Sequence, residues 1–173
     1  HCVTRRQRQM CIRDRYFIVD FGSIHLIPTL CVYMALLPMI YALTYPGNEL
    51  NNLDILAAFL AIAAVIIQII SDQQMFNFRR NLSEPKTMKS GLWYYSRHPN
   101  YFGEILFWFS LFIFALATNF NFAWLLTGTL IMYALIAIAS VSMMDKRSLE
   151  RRSDFKEYMD STPAIFINIF KRG

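Results

Sequence analysis

Four apolar runs alternate with short polar stretches along the chain: Ile24 to Leu43, Leu53 to Ile70, Tyr101 to Thr118 and Phe122 to Met144. A helix needs about 20 residues to cross a hydrocarbon core of about 30 Å, so each run is long enough, or nearly so, to span a bilayer. The pattern predicts an all-α fold, a polytopic membrane helix bundle of about four transmembrane helices. After the fourth run, Asp145 to Lys156 is dense in alternating charge and amphipathic, with Leu149, Phe155 and Tyr158 on its apolar side. It reads as a C-terminal interfacial helix that lies on the membrane surface or folds back over the central polar stretch. Ala164 to Phe170 is apolar again and is able to dip into the interface.

Composition agrees, since 55% hydrophobic and 16% aromatic content is too apolar for an ordinary soluble domain. The 17 Lys and Arg fall in three places: before Tyr16, between Arg79 and Arg97, and after Asp145. With four crossings those places share one side, while Tyr45 to Asn52 and Asn119 to Asn121 contain none. This positive-inside pattern puts the 71–100 loop and the C-terminus in the cytoplasm. Topology and anionic lipid account for the net charge of +5 without nucleic acid. Residues 1–15 include RRQRQMCIRDR, which lacks the apolar core of a signal peptide and resembles translated adapter sequence. They are set aside as a non-native leader, leaving 16–173 as one membrane-embedded domain. Cys2, Cys11 and Cys31 form no zinc spacing, and no metal is expected.

Chemistry concentrates between Ser90 and Glu104, where Trp93, Tyr94, Tyr95, Arg97, His98, Asn100, Tyr101 and Glu104 crowd into one loop and helix start. Pro99 suits a first helical turn, so the helix starts at about His98 or Pro99. Asn100 and Glu104 then share a face, as do Arg97, Tyr101 and Glu104. Glu104 is an ionisable group just inside an apolar helix, which marks either a functional site or a helix-end carboxylate paired with Arg97. Gln68 and Asp72 stand one turn apart at the end of the second run and suit ribose hydroxyls, or else form a solvated helix end. Arg79, Arg80, Lys86, Lys89 and Arg97 together suit a phosphate-bearing cofactor, although topology alone would also place basic residues there. His25 lines a cavity or sits at the interface. The first helix carries Pro38 and is expected to be kinked and packed on others, and Gly128 is expected to permit close helix packing. No GxGxxG, P-loop or GxSxG is present, so a nucleotide would have to sit inside the bundle.

The string GLWYYSRHPNYFGE, Gly91 to Glu104, resembles the signature of the bacterial membrane family related to the C-terminal domain of steroid 5-alpha-reductases, the DUF1295-like proteins. Ile24 to Tyr33, Ser71 to Arg80 and Met144 to Ile165 are similar to that family as well, so the likeness covers nearly everything after Tyr16. The resemblance implies an NADPH-dependent oxidoreductase that reduces an activated carbon–carbon double bond in a lipid-like substrate. It implies that Asn100 and Glu104 contact the nicotinamide end of NADPH, that Gln68, Asp72 and Arg79 hold ribose and phosphates, and that Tyr95, Arg97, His98 and Tyr101 complete the wall. The family's upstream helices are lacking, so an N-terminal truncation is expected, and Tyr33, Tyr41 and His25 are the remaining candidates for the substrate-side acid. Asp145 stands where the family often has Glu, and Ile167 and Asn168 where a closing Pro is usual.

Arg-His-Pro followed by an aromatic and Gly is also similar to isoprenylcysteine carboxyl methyltransferases, which makes an S-adenosylmethionine-dependent membrane methyltransferase the alternative. Asn100 and Glu104 favour the reductase, and Asp145-Lys146 does not reproduce the methyltransferases' paired glutamates. A third reading, a non-catalytic membrane protein with interfacial aromatic anchors, fits Trp93 to Tyr95 but not the polar residues that continue into the helix. Substrate identity and oligomeric state are left open by the sequence.

Overall fold

The structure, a computed structural model, describes residues 21–45, 49–80 and 86–166. The expected leader, residues 46–48 of the Tyr45 to Asn52 stretch and the positions of Ile167 and Asn168 lie outside the described residues. Among the described residues the chain is helical without strands. A π-helical turn, Phe21–Leu26, leads into α1 (Ile27–Thr44). Next come α2 (Asn52–Arg80), the short α3 (Leu92–Tyr95) and α4 (Pro99–Thr118). A 3-10 turn, Phe120–Leu125, opens α5 (Leu126–Ala134), and a π-helical stretch, Leu135–Val141, joins it to α6 (Ser142–Arg151) and then α7 (Phe155–Ser161). Four helical segments are long and apolar enough to cross a membrane: Ile27–Thr44, Asn52–Arg80, Pro99–Thr118 and the composite Phe120–Arg151.

Their packing follows from small residues. Ala57, Ala64 and Ser71 repeat every two turns along α2, and all three are 0% exposed. That stripe lets α2 lie close along α4, its principal partner. At Gly103 of α4 a Cβ would come within 2.8 Å of the Ala64 carbonyl, so only glycine fits there. Gly128 serves the α1–α5 contact in the same way, because a Cβ there would collide with the Met34 carbonyl. Pro38 lies inside α1 and is buried. The opposite face of α2 exposes Ile55, Phe59, Ile62, Ile66 and Ile69. Apolar surface left open to water on this scale costs about 25 cal/mol per Å², a cost that vanishes in lipid.

Two elements run further than their hydropathy. The sequence ends the second membrane run at Ile70, but α2 continues as one helix to Arg80. At about 1.5 Å per residue its 29 residues reach roughly 43 Å, so the last turns project beyond a hydrocarbon core of about 30 Å. The fourth helical segment likewise carries on to Arg151, so the expected amphipathic helix is divided by a break at Arg152, where φ −136° and ψ 114° are extended. The tail then folds back over the central loop, the second of the two expected courses.

At the other end of the bundle, Asn51 caps α2 through Leu53 N–H (2.8 Å) and reaches across to the Ala117 carbonyl (2.9 Å). Tyr41, Tyr45, Phe122 and Trp124 cluster there.

Candidate functional site

The projecting end of α2, the Ser90–Glu104 stretch and the folded-back tail meet at one end of the bundle. Gly91 turns the chain with φ 63°. Gln74 of α2 accepts from Leu92 N–H (3.0 Å), giving a partner to a donor in the first turn of α3, and Trp93 donates its indole N–H to the Ser71 carbonyl (3.1 Å). Residues 96–98 are held by the tail. Arg97 and His98 donate their backbone N–H groups to the carbonyls of Pro163 (2.9 Å) and Ala164 (3.0 Å). Ser96 Oγ donates to the carbonyls of Ala164 and Ile165. The Tyr158 hydroxyl donates to the carbonyls of Trp93 and Ser96, and burial pushes this phenol well above its ordinary pKa.

With the backbone fixed in this way, the side chains of Arg97 and His98 converge on Asp145. Arg97 Nη2 is 3.2 Å from one carboxylate oxygen and His98 Nε2 is 2.9 Å from the other. Asp145 is 7% exposed and the Arg97 side chain 9%. A carboxylate only accepts, so Nε2 of His98 carries the proton. The His98 ring stacks on Tyr101 at 5.4 Å. Arg97 pairs with Asp145, not with Glu104. Among the described residues two of its nitrogens, Nε and Nη1, are buried without a partner, as is Oδ1 of Asn100.

These residues border a cavity of about 230 Å³ whose walls also include Thr87, Trp93, Ser148 and Arg152. Six of the nine residues expected to hold a cofactor line it: Asp72, Arg79, Arg97, His98, Asn100 and Tyr101. The other three lie elsewhere. Gln68 packs against Gly103 in the α2–α4 contact, and Tyr95 stacks edge-on with Tyr94 beside a separate shallow groove. Glu104 is half-buried, within electrostatic reach of Tyr101 and next to Trp108. None of the expected acids joins the cavity. Tyr33 points outward (57% exposed), His25 is exposed near the start of the first helix, and Tyr41 belongs to the aromatic cluster at the far end.

The sequence reading missed Asp145 as a partner and Arg152 as a wall residue. A signal for the first existed: a guanidinium entering a bundle beside an imidazole needs a carboxylate, and Asp145 directly follows the fourth apolar run. Arg152 is half-buried, and burial followed by the nearness of Arg79 lowers its pKa. Below the cavity, Thr87 donates from both N and Oγ1 to Asp154. Burial opposes ionisation of Asp154, but these two bonds prevail and hold the carboxyl below its ordinary pKa. Among the described residues no group of three His, Cys, Asp or Glu gathers in metal-binding range.

Three comparisons place the chain among known proteins. The family described as "protein of unknown function (DUF1295)" matches residues 5–162, a span that starts within the arginine-rich segment. An uncharacterized protein of Schizosaccharomyces pombe is 25% identical over 93% of the chain, and the chain spans about half (53%) of the length of that relative. No solved structure matches.

Proposed function

The chain belongs to the DUF1295 family, and from that premise we propose that it is an integral-membrane, NADPH-dependent reductase of an activated carbon–carbon double bond in a lipid. The resemblance of Gly91 to Glu104 to the steroid 5-alpha-reductase signature supports the reaction class. The observation that carries the choice of cofactor is the charge of the cavity wall: Arg97 is balanced by Asp145, but Arg79 and Arg152 enter no ion pair among the described residues and stand against one aspartate, Asp72. Phosphates of a dinucleotide suit such a wall, whereas S-adenosylmethionine, with a sulfonium and an ammonium against a single carboxylate, brings net positive charge to it. The polar atoms left without partners fit as well. Nε and Nη1 of Arg97 are donors in need of an acceptor, and Oδ1 of Asn100 is an acceptor in need of an amide N–H such as that of nicotinamide. The cavity's 230 Å³ is below the roughly 300–1,000 Å³ of pockets that enclose a whole ligand, so it suits one end of an extended cofactor.

The cofactor, when bound, supplies hydride; the chain supplies the rest. Reduction of an enone builds negative charge on the conjugated carbonyl oxygen, and Tyr101 is the phenol of α4 in the cavity wall able to donate to it. Arg97, its charge balanced by Asp145, offers its remaining N–H groups as donors. The basic residues on this side support a cytoplasmic position for this end by the positive-inside rule, and the resemblance to a bacterial membrane family supports the inner membrane as its location.

The test is anaerobic oxidation of NADPH by the protein in nanodiscs with a panel of lipid enones, comparing wild type with Tyr101→Phe. Turnover slowed by about 10²-fold or more in the variant is expected for the loss of one oxyanion donor. Methyl transfer from S-adenosylmethionine with no NADPH oxidation would overturn the proposal.

A further inference from the structure

α2 passes the end of its apolar run at Ile70 with two different faces. Asp72, Met75 and Arg79, three and four residues apart, border the cavity. Ile70, Gln74, Asn77 and Phe78 lie on the opposite side of the same turns and border an open groove instead. Two depressions that meet at Gln74, Ser90 and Gly91 make up this groove, and its other wall brings Lys89 and Ser90 together with Leu92, Tyr94 and Tyr95. The larger depression has a volume of about 490 Å³, inside the roughly 300–1,000 Å³ of small-molecule sites. Tyr95, expected beside a nucleotide, belongs here. Followed inward, the groove face of α2 continues at the same spacing through Ile66, Ile62 and Phe59, all exposed. Phe59 to Ile70 spans about 17 Å at about 1.5 Å per residue, close to half of a hydrocarbon core of about 30 Å. The apolar stripe is thus one leaflet deep, and at the membrane boundary it runs into the groove.

Charge selects the occupant. Among the described residues, those bordering the groove include one lysine and no carboxylate. Lys89 pairs with Glu157 at 3.4 Å, but both side chains are exposed, and such a pair holds the ammonium weakly enough for a phosphate to displace it. Tyr94 and Tyr95 meet edge-on at 5.1 Å on the groove wall that faces Ile70, amphipathic rings of the kind that sit at headgroup level. We propose that the groove binds one anionic phospholipid of the adjoining leaflet, with its phosphate against Lys89 and Ser90 and an acyl chain along Ile70, Ile66, Ile62 and Phe59. The choline or ethanolamine of a zwitterionic lipid finds no carboxylate on the groove wall. This site is separate from the reductase reading, because groove and cavity lie on opposite faces of α2.

The experiment is photo-crosslinking of the full chain in phosphatidylcholine nanodiscs that carry a small share of photoactivatable phosphatidylglycerol, with the labelled peptides mapped by mass spectrometry. Wild type is compared with Lys89→Gln and with Lys86→Gln, a charge control in the same loop that does not border the groove. Both lysines are exposed, and size-exclusion profiles check that the variants stay folded. Expected are crosslinks concentrated at residues 59–78 and 88–95, competed by unlabelled phosphatidylglycerol and not by added phosphatidylcholine. Lys89→Gln should lower their yield about 5-fold, the effect of one basic residue at an anionic surface, while Lys86→Gln leaves it unchanged. Labelling spread over the exposed apolar helix faces, with no dependence on Lys89, would mean bulk lipid contact and overturn the site. An equal fall in both variants would assign the effect to surface charge at large and overturn it as well. Competition by phosphatidylcholine as strong as by phosphatidylglycerol would overturn the choice of an anionic lipid.

Discussion

Asp145→Asn removes the one carboxylate that faces both Arg97 and His98 while changing the side-chain volume little. In the wild type the carboxylate is 3.2 Å from Arg97 Nη2 and 2.9 Å from His98 Nε2. Both side chains of the Arg97–Asp145 pair are 9% exposed, so solvent does little to screen the loss. Breaking a buried pair by removing one partner leaves an uncompensated charge and costs about 3–5 kcal/mol. The asparagine keeps an acceptor for one of the two donors, which places the expectation toward the lower end. For a chain of this size that corresponds to a fall in melting temperature of roughly 6–20 °C. The assay is thermal unfolding of the detergent-purified protein, repeated for Arg97→Met, Asp145→Met and the double Met variant. The double variant should recover much of the loss, because a buried pair replaced by apolar groups is close to neutral. A melting temperature within about 2 °C of wild type for Asp145→Asn, or additive losses in the cycle, would refute the claim that this pair organises the site.

Three further outcomes follow from other contacts. Gly103→Ala forces a Cβ to within 2.8 Å of the Ala64 carbonyl and should destabilise the α2–α4 contact by about 1–3 kcal/mol, read as a lowered thermal midpoint. Tyr158→Phe leaves the carbonyls of Trp93 and Ser96 without their donor; a loss of about 1–3 kcal/mol and faster amide exchange across residues 93–98 are expected. Because the pKa of Asp154 is depressed in the folded protein, its ionised form stabilises the tail above the ordinary value of 3.8, and that stability is lost as pH falls through the lower folded value. Thr87→Val should flatten this acid limb in melting temperature against pH, and an unchanged limb would sever the loop–tail link from Asp154.

Long periodic features were legible in the sequence. The four apolar runs became the four spanning segments, and Pro99 opens α4 at its expected place, because length and proline chemistry act locally. Gly128 acts as expected in close packing. What the sequence hid depends on distant chain. Asp145 meets His98 across 47 residues only because residues 163 and 164 bond to the backbone at 97 and 98. Arg152 reads as one more topogenic charge until the helix break turns it into the cavity wall. The reach of α2 past Ile70 was hidden because hydropathy falls there, yet Ser71 and Gln74 are fastened to the central loop and keep the helix going. Tyr33 and Tyr41 could not be assigned a side of α1, because that helix is apolar all round and offers no periodicity to read.

The most direct measurement is equilibrium binding of NADPH and S-adenosylmethionine, side by side, to wild type and Asn100→Ala in nanodiscs. The account predicts that NADPH binds the wild type, weakens when Asn100 loses its amide, and leaves S-adenosylmethionine without measurable affinity. Binding of S-adenosylmethionine with none of NADPH would contradict it.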